Sequence, residues 1–181
     1  MYKGKNPTAL QSQEMIIKGM LSIMETKSFE SITIKSICEY ALVSRQTFYS
    51  LFDSKEEVLE LHFDKMFKLF IERFTSKNIN TISDICFEFM TYIEGDKDFI
   101  ELLVNNNLTY IMTVKFEQYL IKIGRILNDD NKYMHEYAMA FMAGALVEII
   151  ARYIRNGENI EPENLAFLIE KILKGEYFII R

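Results

Sequence analysis

Residues 33–55, TIKSICEYALVSRQTFYSLFDSK, constrain the fold more than any other stretch of the chain. Apolar residues repeat there at helical spacing in two short segments, the first behind a Thr33 cap and the second behind a Ser44 cap. Ala41-Leu42-Val43 breaks the period between them. The pattern predicts a helix, a tight turn and a second helix, and a unit this small must pack on other helices to bury its apolar side.

Several polar or aromatic side chains of the second helix lie outside its apolar stripe, so they are not needed for packing. They are Arg45, Gln46, Thr47, Tyr49 and Ser50. They are hydrogen-bond donors and acceptors and one aromatic hydroxyl. A short helix that exposes such groups at its N-terminal end is typical of the recognition helix that helix-turn-helix proteins place in the DNA major groove. Many other helical hairpins share the apolar pattern, so the pattern alone leaves both interpretations open.

The run SITIKSICEYALVSRQTFYSLFDSKEEVL resembles the DNA-binding domain of TetR-family transcriptional regulators. The resemblance lies in a Thr-led helix, a Val-Ser turn, a Thr-aromatic-Tyr recognition helix and a Lys-Glu start to the next helix, and it extends over about residues 8–67. Leu42 stands where the turn is usually Gly, Ser28 stands where Gly usually ends the first helix, and Leu51 replaces the usual His before Phe52. Leu51 affects one expected phosphate or base contact, whereas Leu42 and Ser28 affect only turn geometry.

The resemblance also implies which side chains contact DNA. Thr33, Tyr49 and Lys55 match positions that contact phosphates, while the start of the recognition helix reaches base edges. The DNA-binding residues expected from motif and resemblance together are Thr33, Ser44, Arg45, Gln46, Thr47, Tyr49, Ser50 and Lys55.

The charge of the chain is unevenly distributed. A formal net charge of −5 over 181 residues would count against a nucleic-acid binder if it were evenly spread. Residues 1–52 contain six Lys or Arg against four Asp or Glu and the remainder fifteen against twenty-two, so the front end is +2 and the rest −7. A mildly basic head on an acidic body suits a protein that offers one end to DNA. Lys3 and Lys5 either contact the DNA backbone or belong to a solvated tail.

A long helix is expected directly after the motif. Ser54 and Glu57 have the spacing of a capping box, and apolar residues then recur at helical spacing from Leu59 to Phe74. Further helical patterns follow, which gives nine helices and no convincing strand. We therefore predict an all-α fold, with a three-helix DNA-binding head at residues 1–55 and a helical effector-binding and dimerisation domain at residues 56–181.

The segment YMHEYAMAFMAGALVEIIARYI, residues 133–154, is apolar around most of its circumference. A helix of this kind must be buried on two sides, and the second side needs a partner. The run FMAGALVEIIARYIRNGENIEPENLAFLI resembles the C-terminal segment of the TetR relatives that include dihydroxyacetone-kinase regulators. In that branch the last two helices form a two-fold interface, so the resemblance implies a homodimer.

No Gly-rich phosphate loop, zinc-spaced Cys/His set or nucleophile elbow is present, so we expect no enzyme activity, cofactor or metal. Cys38 and Cys86 are interpreted as small hydrophobes, and His62 and His135 as packed or solvated. The 10 Met and 14 Phe residues are chiefly core. A minority of the aromatic residues are candidates for lining an effector cavity among the middle helices: Phe67, Phe89, Tyr110, Tyr119, Tyr137 and Phe141.

The leading interpretation is a homodimeric transcriptional regulator, a repressor that binds double-stranded DNA with inverted half-sites and releases it when a small molecule enters the C-terminal domain. The alternative is a helical coactivator of the same fold that has lost DNA binding and works through another protein. No uninterrupted apolar stretch approaches the 18 or so residues of a membrane span, and MYKGKNPTAL lacks the apolar core of a signal peptide. We therefore expect a cytoplasmic protein without membrane attachment.

Overall fold

The computed structural model describes residues 1–76, 81–127, 132–157 and 160–177. Over these residues the chain forms nine α-helices and no strand, which confirms the predicted all-α fold. A 3-10 turn at Phe29–Ser31 separates the first two helices. The helices are α1 Pro7–Met24, α2 Ile34–Tyr40, α3 Arg45–Leu51, α4 Glu56–Ser76, α5 Ile82–Gly95, α6 Lys97–Asn105, α7 Thr109–Leu127, α8 Lys132–Arg155 and α9 Pro162–Leu173.

The two helices of the central motif begin at the residues that the sequence predicts. Thr33 Oγ1 accepts a hydrogen bond from the Ser36 amide, and Ser36 Oγ accepts one from the Thr33 amide, both at 3.1 Å. This reciprocal capping box satisfies two backbone donors at the start of α2. Ser44 Oγ accepts a hydrogen bond from the Thr47 amide at 2.9 Å, which caps α3 in the same way.

Helix α1 supplies the surface on which α2 and α3 pack. Ile16 and Met20 of α1, Ile37 of α2 and Phe48 of α3 are fully buried. Gly19 allows the close approach of α2, because a Cβ atom there would lie only 3.3 Å from the Tyr40 ring. These residues belong to one apolar cluster that continues into α4 and the helices that follow it.

Helix α4 contacts α1 of the head and also α5 and α7 of the body. The Glu57 amide donates to Ser54 Oγ at 3.3 Å, as the capping-box spacing predicts. The Glu57 carboxylate accepts a hydrogen bond from the Asp53 amide at 2.9 Å, however, and not from Ser54. The reciprocal bond is thus formed one residue earlier than predicted, and it still satisfies a backbone donor ahead of the helix.

In the body, α5 packs mainly along α9 and α7 packs mainly along α8. Aromatic side chains fill much of the space between these pairs, including the buried Phe63, Phe89 and Phe116. The stretch Glu136–Arg155 of α8 is long and apolar enough to cross a membrane by length and composition alone, yet only 28% of it is buried within the chain. Less than a third of this apolar stretch is therefore buried within the chain.

Candidate nucleic-acid interface and ligand cavity

Helix α3 is anchored on one side and open on the other. Phe48 and Leu51 are buried in the head, and the Phe48 ring meets the Tyr49 ring edge-on at a centroid distance of 5.7 Å. Thr47 is half-buried. The side chains that face away from the head are Arg45, Gln46, Tyr49 and Ser50.

The hydroxyl groups of α3 are mostly engaged within the helix itself. The Ser44 and Thr47 hydroxyls lie 2.9 Å apart and share a hydrogen bond, and the Ser50 hydroxyl donates to the Thr47 carbonyl at 2.7 Å. By contrast, Arg45, Gln46 and Tyr49 form no side-chain hydrogen bond with any residue that the structure describes. These three polar groups are available to another molecule.

Leu42 adopts the backbone conformation that glycine favours. Its φ is 54°, in the left-handed region, and its side chain is 85% exposed. The turn between α2 and α3 therefore keeps the geometry of a turn with Gly at this position, although a leucine occupies it at a cost in strain.

Lys55 has an intramolecular role. Its ammonium donates to the backbone carbonyls of Phe29 at 2.6 Å, Ile32 at 3.0 Å and Glu30 at 3.4 Å. The same group lies 4.2 Å from the centre of the Phe29 ring. Lys55 therefore ties the start of α4 to the 3-10 turn that leads into α2.

A cavity of about 100 Å³ lies in the body where α4, α5, α7, α8 and α9 meet. The described side chains that line it are apolar: Phe67, Phe70, Ile85, Cys86, Phe89, Phe116, Leu120, Met142, Leu146, Ile169 and Leu173. Burial raises the pKa of the Cys86 thiol to about 11, so the thiol is neutral at physiological pH.

A polar cluster lies next to the cavity wall formed by Phe67. It consists of Glu60, Asp64, Lys115 and Tyr119, and we call it the Lys115 cluster. Lys115 is 5% exposed, and its ammonium lies 3.0 Å from the Asp64 carboxylate and 3.2 Å from that of Glu60. The Tyr119 hydroxyl donates to Asp64 at 2.7 Å. The Tyr119 ring stacks on Phe67, a cavity wall, at a centroid distance of 3.9 Å. The cluster joins α7 to α4.

Known protein families match both the N-terminal helices that include α3 and the C-terminal helices that line the cavity. Residues 16–61 match the model for bacterial regulatory proteins of the tetR family, and residues 80–175 match a model for the C-terminal region of transcriptional regulators of the same family. The chain belongs to the TetR family of transcriptional regulators. It is similar to the HTH-type dhaKLM operon transcriptional activator DhaS of Lactococcus lactis, with 22% identity over 165 residues and 83% of each chain covered.

Solved TetR-like structures share the fold. Lin0861 from Listeria innocua superimposes with a TM-score of 0.80 at 20% identity, covering 97% of this chain and 96% of that chain. The fatty acid degradation regulator FadR from Bacillus halodurans gives a TM-score of 0.61 at 15% identity, with 97% and 98% covered. At these identities the likeness concerns the fold.

The sequence suggests six aromatic residues as candidates for lining an effector cavity in this TetR-family chain. The structure places only some of them at the cavity. Phe67 and Phe89 line the cavity, and Tyr119 stacks behind Phe67. Tyr110, Tyr137 and Phe141 do not line it, because their side chains are 52%, 78% and 74% exposed. Helical periodicity places an aromatic residue on a helix but does not tell which neighbouring helix covers it.

Sequence reasoning also missed Lys115 and Cys86. Lys115 lies within the apolar stripe of α7, next to Phe116 and one turn after Ile111, and a charge in such a stripe signals a buried partner on another helix. Cys86 carries no comparable signal. Among the described residues no group of three His, Cys, Asp or Glu side chains could hold a metal ion.

Proposed function

We propose that this TetR-family protein is a cytoplasmic, homodimeric DNA-binding regulator, a repressor that a small-molecule effector releases from its operator. The observation that carries the proposal is the surface of α3, where Arg45, Gln46 and Tyr49 are exposed and hydrogen-bonded to no other described residue, while Phe48 and Leu51 hold the helix on the head. A surface of donors and acceptors on a rigidly seated helix fits the major groove.

The DNA-binding groups differ in what they contribute. Arg45 and Gln46 have the planar donor and acceptor geometry that reads base edges, with Thr47 beside them. Thr33, exposed at the start of α2, and Tyr49 supply hydroxyls for phosphates. Ser44 and Ser50 shape α3 through their internal hydrogen bonds, and the phosphate contact inferred for Lys55 stays a prediction.

We assign DNA binding to residues 1–55, and effector binding and dimerisation to residues 56–181. Two features of the body support this assignment: the apolar cavity among its helices and the uncovered apolar side of α8. Tyr137 and Phe141 are one turn apart on α8 and both largely exposed, and α9 adds Phe167 at 55% exposure. Association through α8 and α9 would bury these aromatic side chains.

Effector control would act through the distance between the two heads of the dimer. One recognition helix makes too few base contacts for gene-level specificity, since each good pair discriminates by only about 1–3 kcal/mol. Two heads must therefore reach major grooves on one face of the duplex. A ligand that favours a different placement of α4 lowers operator affinity, and operator lowers ligand affinity by the same factor.

Both activators and repressors occur among the proteins that this chain resembles. DhaS is described as a transcriptional activator and NalD of Pseudomonas aeruginosa as a secondary repressor of an efflux pump. The alternative, a coactivator that has lost DNA binding, is disfavoured because Arg45, Gln46 and Tyr49 remain together and exposed on α3.

The test is to incubate the full-length protein with sheared genomic DNA and to sequence the bound fragments. The wild type should enrich a few sites that contain inverted repeats. Arg45→Ala combined with Gln46→Ala should abolish the enrichment, whereas Lys68→Ala, which removes an exposed charge on α4, should preserve it. Enrichment that survives the α3 substitutions, or no enrichment by the wild type, would contradict the proposal.

A further inference from the structure

The cavity of the body has a chemical character that limits what it can bind. None of the lining residues that the structure describes contributes a side-chain nitrogen or oxygen; they contribute aromatic rings, aliphatic chains, one thioether and one neutral thiol. Among these described side chains, the Cys86 thiol is the strongest hydrogen-bonding group that a ligand would meet. Each hydroxyl it brought without a partner would weaken binding roughly tenfold to hundredfold.

Polar side chains on the helices around the cavity bond to one another, and they are not among the described lining residues. Ser83 of α5 donates to the Glu170 carboxylate of α9 at 2.9 Å, and the Tyr119 hydroxyl donates to Asp64. The Tyr92 ring centre lies 5.1 Å from that of Phe70 and 6.0 Å from that of Phe67, and Tyr92 is not among the described lining residues.

We propose that the effector enters this cavity as an uncharged apolar molecule, or as the apolar end of a larger one, about the size of a small aromatic ring or a short alkyl chain. The inference rests on the proposed function, in which occupancy of the body controls DNA binding. Apolar cavities of about 150 Å³ stay dry and bind benzene, so a space of about 100 Å³ needs only a small displacement of its walls to do the same.

The walls include side chains that allow such an adjustment. Met142 is unbranched and flexible, and it comes from α8, the helix left largely uncovered within one protomer. Each methylene buried favours binding about fourfold, so an apolar ligand gains affinity with size until the walls resist. A small polyhydroxylated ligand, such as the dihydroxyacetone suggested by the name of one relative, would lose affinity with every oxygen.

The experiment compares two probes with the same number of non-hydrogen atoms, benzene and dihydroxyacetone, by their effect on the melting temperature of the full-length protein. Benzene at about ten times its Kd should raise Tm by about 3–5 °C, and Tm should rise further with the logarithm of its concentration, whereas dihydroxyacetone should leave Tm unchanged. Cys86→Leu and Leu146→Phe, which fill the cavity with apolar atoms, should remove the benzene shift. Val114→Leu, which enlarges an exposed side chain of α7, should keep it.

Two results would overturn the ligand class. One is a rise in Tm with dihydroxyacetone that the filling substitutions remove, and the other is a benzene shift that is absent, or that is equal in the wild type and both filled variants. The Tm of each variant without probe shows whether it folds. Operator affinity is measured separately: benzene that binds the cavity without weakening operator binding would contradict the effector mechanism while leaving the ligand class standing.

Discussion

At the scale of single residues, Lys55 shows how one side chain joins two segments of the head. Its ammonium donates to the carbonyls of Phe29, Glu30 and Ile32. The Phe29 carbonyl also accepts the Ile32 amide at 3.1 Å, which closes the 3-10 turn. These contacts of Lys55 fix the 3-10 turn ahead of α2 relative to the start of α4.

Lys55→Ala should lower the free energy of unfolding by about 1–2 kcal/mol, because three carbonyls lose a charged donor that is itself half-buried. Urea denaturation of the wild type and the variant measures this change in the free energy of unfolding. The salt dependence of DNA binding tests the phosphate contact separately, since each lost phosphate contact reduces the slope of log K against log salt by about one. Unchanged stability with a reduced slope would show that Lys55 acts on DNA and not on the fold.

Leu42 shows what the sequence can and cannot say about a turn. The resemblance identifies this position as one that normally holds glycine, and the φ of 54° agrees with that geometry. The substitution alone could equally have meant a different turn. The outcome depends on the packing of α1, α2 and α3 around the turn, which no local pattern contains.

At the scale of helices, the Lys115 cluster is the main polar connection described between α7 and α4. Lys115 is nearly inaccessible, but Asp64 and Glu60 are 31% and 39% exposed, so solvent screens part of their attraction. Tyr119, a member of the cluster, stacks on the Phe67 ring of the cavity wall at 3.9 Å and donates to Asp64. We therefore expect a ligand that moves Phe67 to disturb the connection between α7 and α4.

Lys115→Met should destabilise the protein by about 1–3 kcal/mol, since it leaves two carboxylates close together without their cation. Tyr119→Phe is the matched variant, because it keeps the stack on Phe67 and removes one hydrogen bond, at about 1 kcal/mol. Chemical denaturation of both variants measures their free energies of unfolding and checks that Lys115→Met loses more than Tyr119→Phe. Equal stability of Lys115→Met and the wild type would show that the cluster does not hold α7 on α4.

His62, also on α4, makes stability depend on pH. Its ring meets the Phe99 ring of α6 edge-on at 4.4 Å, and burial lowers its pKa below the usual 6.5, while Asp96 and Glu14 raise it and Lys65 lowers it further. The unfolded chain then takes up a proton at higher pH than the folded chain. Stability is complete above about pH 6.5 and declines as the pH falls through the lowered value.

His62→Gln should reduce this decline. The comparison is the free energy of unfolding at pH 7.5 and pH 5.5, measured for both proteins, so that carboxylates common to both cancel. A loss between the two pH values that is identical in the wild type and in His62→Gln would assign the pH dependence to other groups.

At the scale of the whole molecule, the exposed aromatics of α8 should mediate the dimer. Phe141→Arg should give monomers by light scattering at micromolar concentration, because a charge would be buried at the centre of the apolar surface. Tyr110→Arg, on an exposed part of α7, is the matched control and should remain dimeric. A dimeric Phe141→Arg variant would remove this part of α8 from the interface.

The sequence predicts the helices and their caps better than it predicts which helices pack against each other. Caps at Thr33 and Ser44 and the apolar stripe of α4 are local signals, so α2, α3 and α4 follow from them. Tyr137 and Phe141 were candidates for a cavity and lie on the surface, because an apolar helix with two sides to bury does not reveal which side faces its own domain. The Lys115 cluster depends on residues 51 positions apart, Asp64 and Lys115, and needs the tertiary structure.

The most direct test of the central claim is a footprint of the dimer on its enriched genomic site. If two α3 helices read the operator together, protection should cover two inverted half-sites whose centres are separated by about 34–36 Å, one helical turn, or a multiple of it. Arg45→Ala should weaken both halves equally. A single protected half-site without inverted symmetry would contradict the account, even if the protein proved to bind DNA tightly.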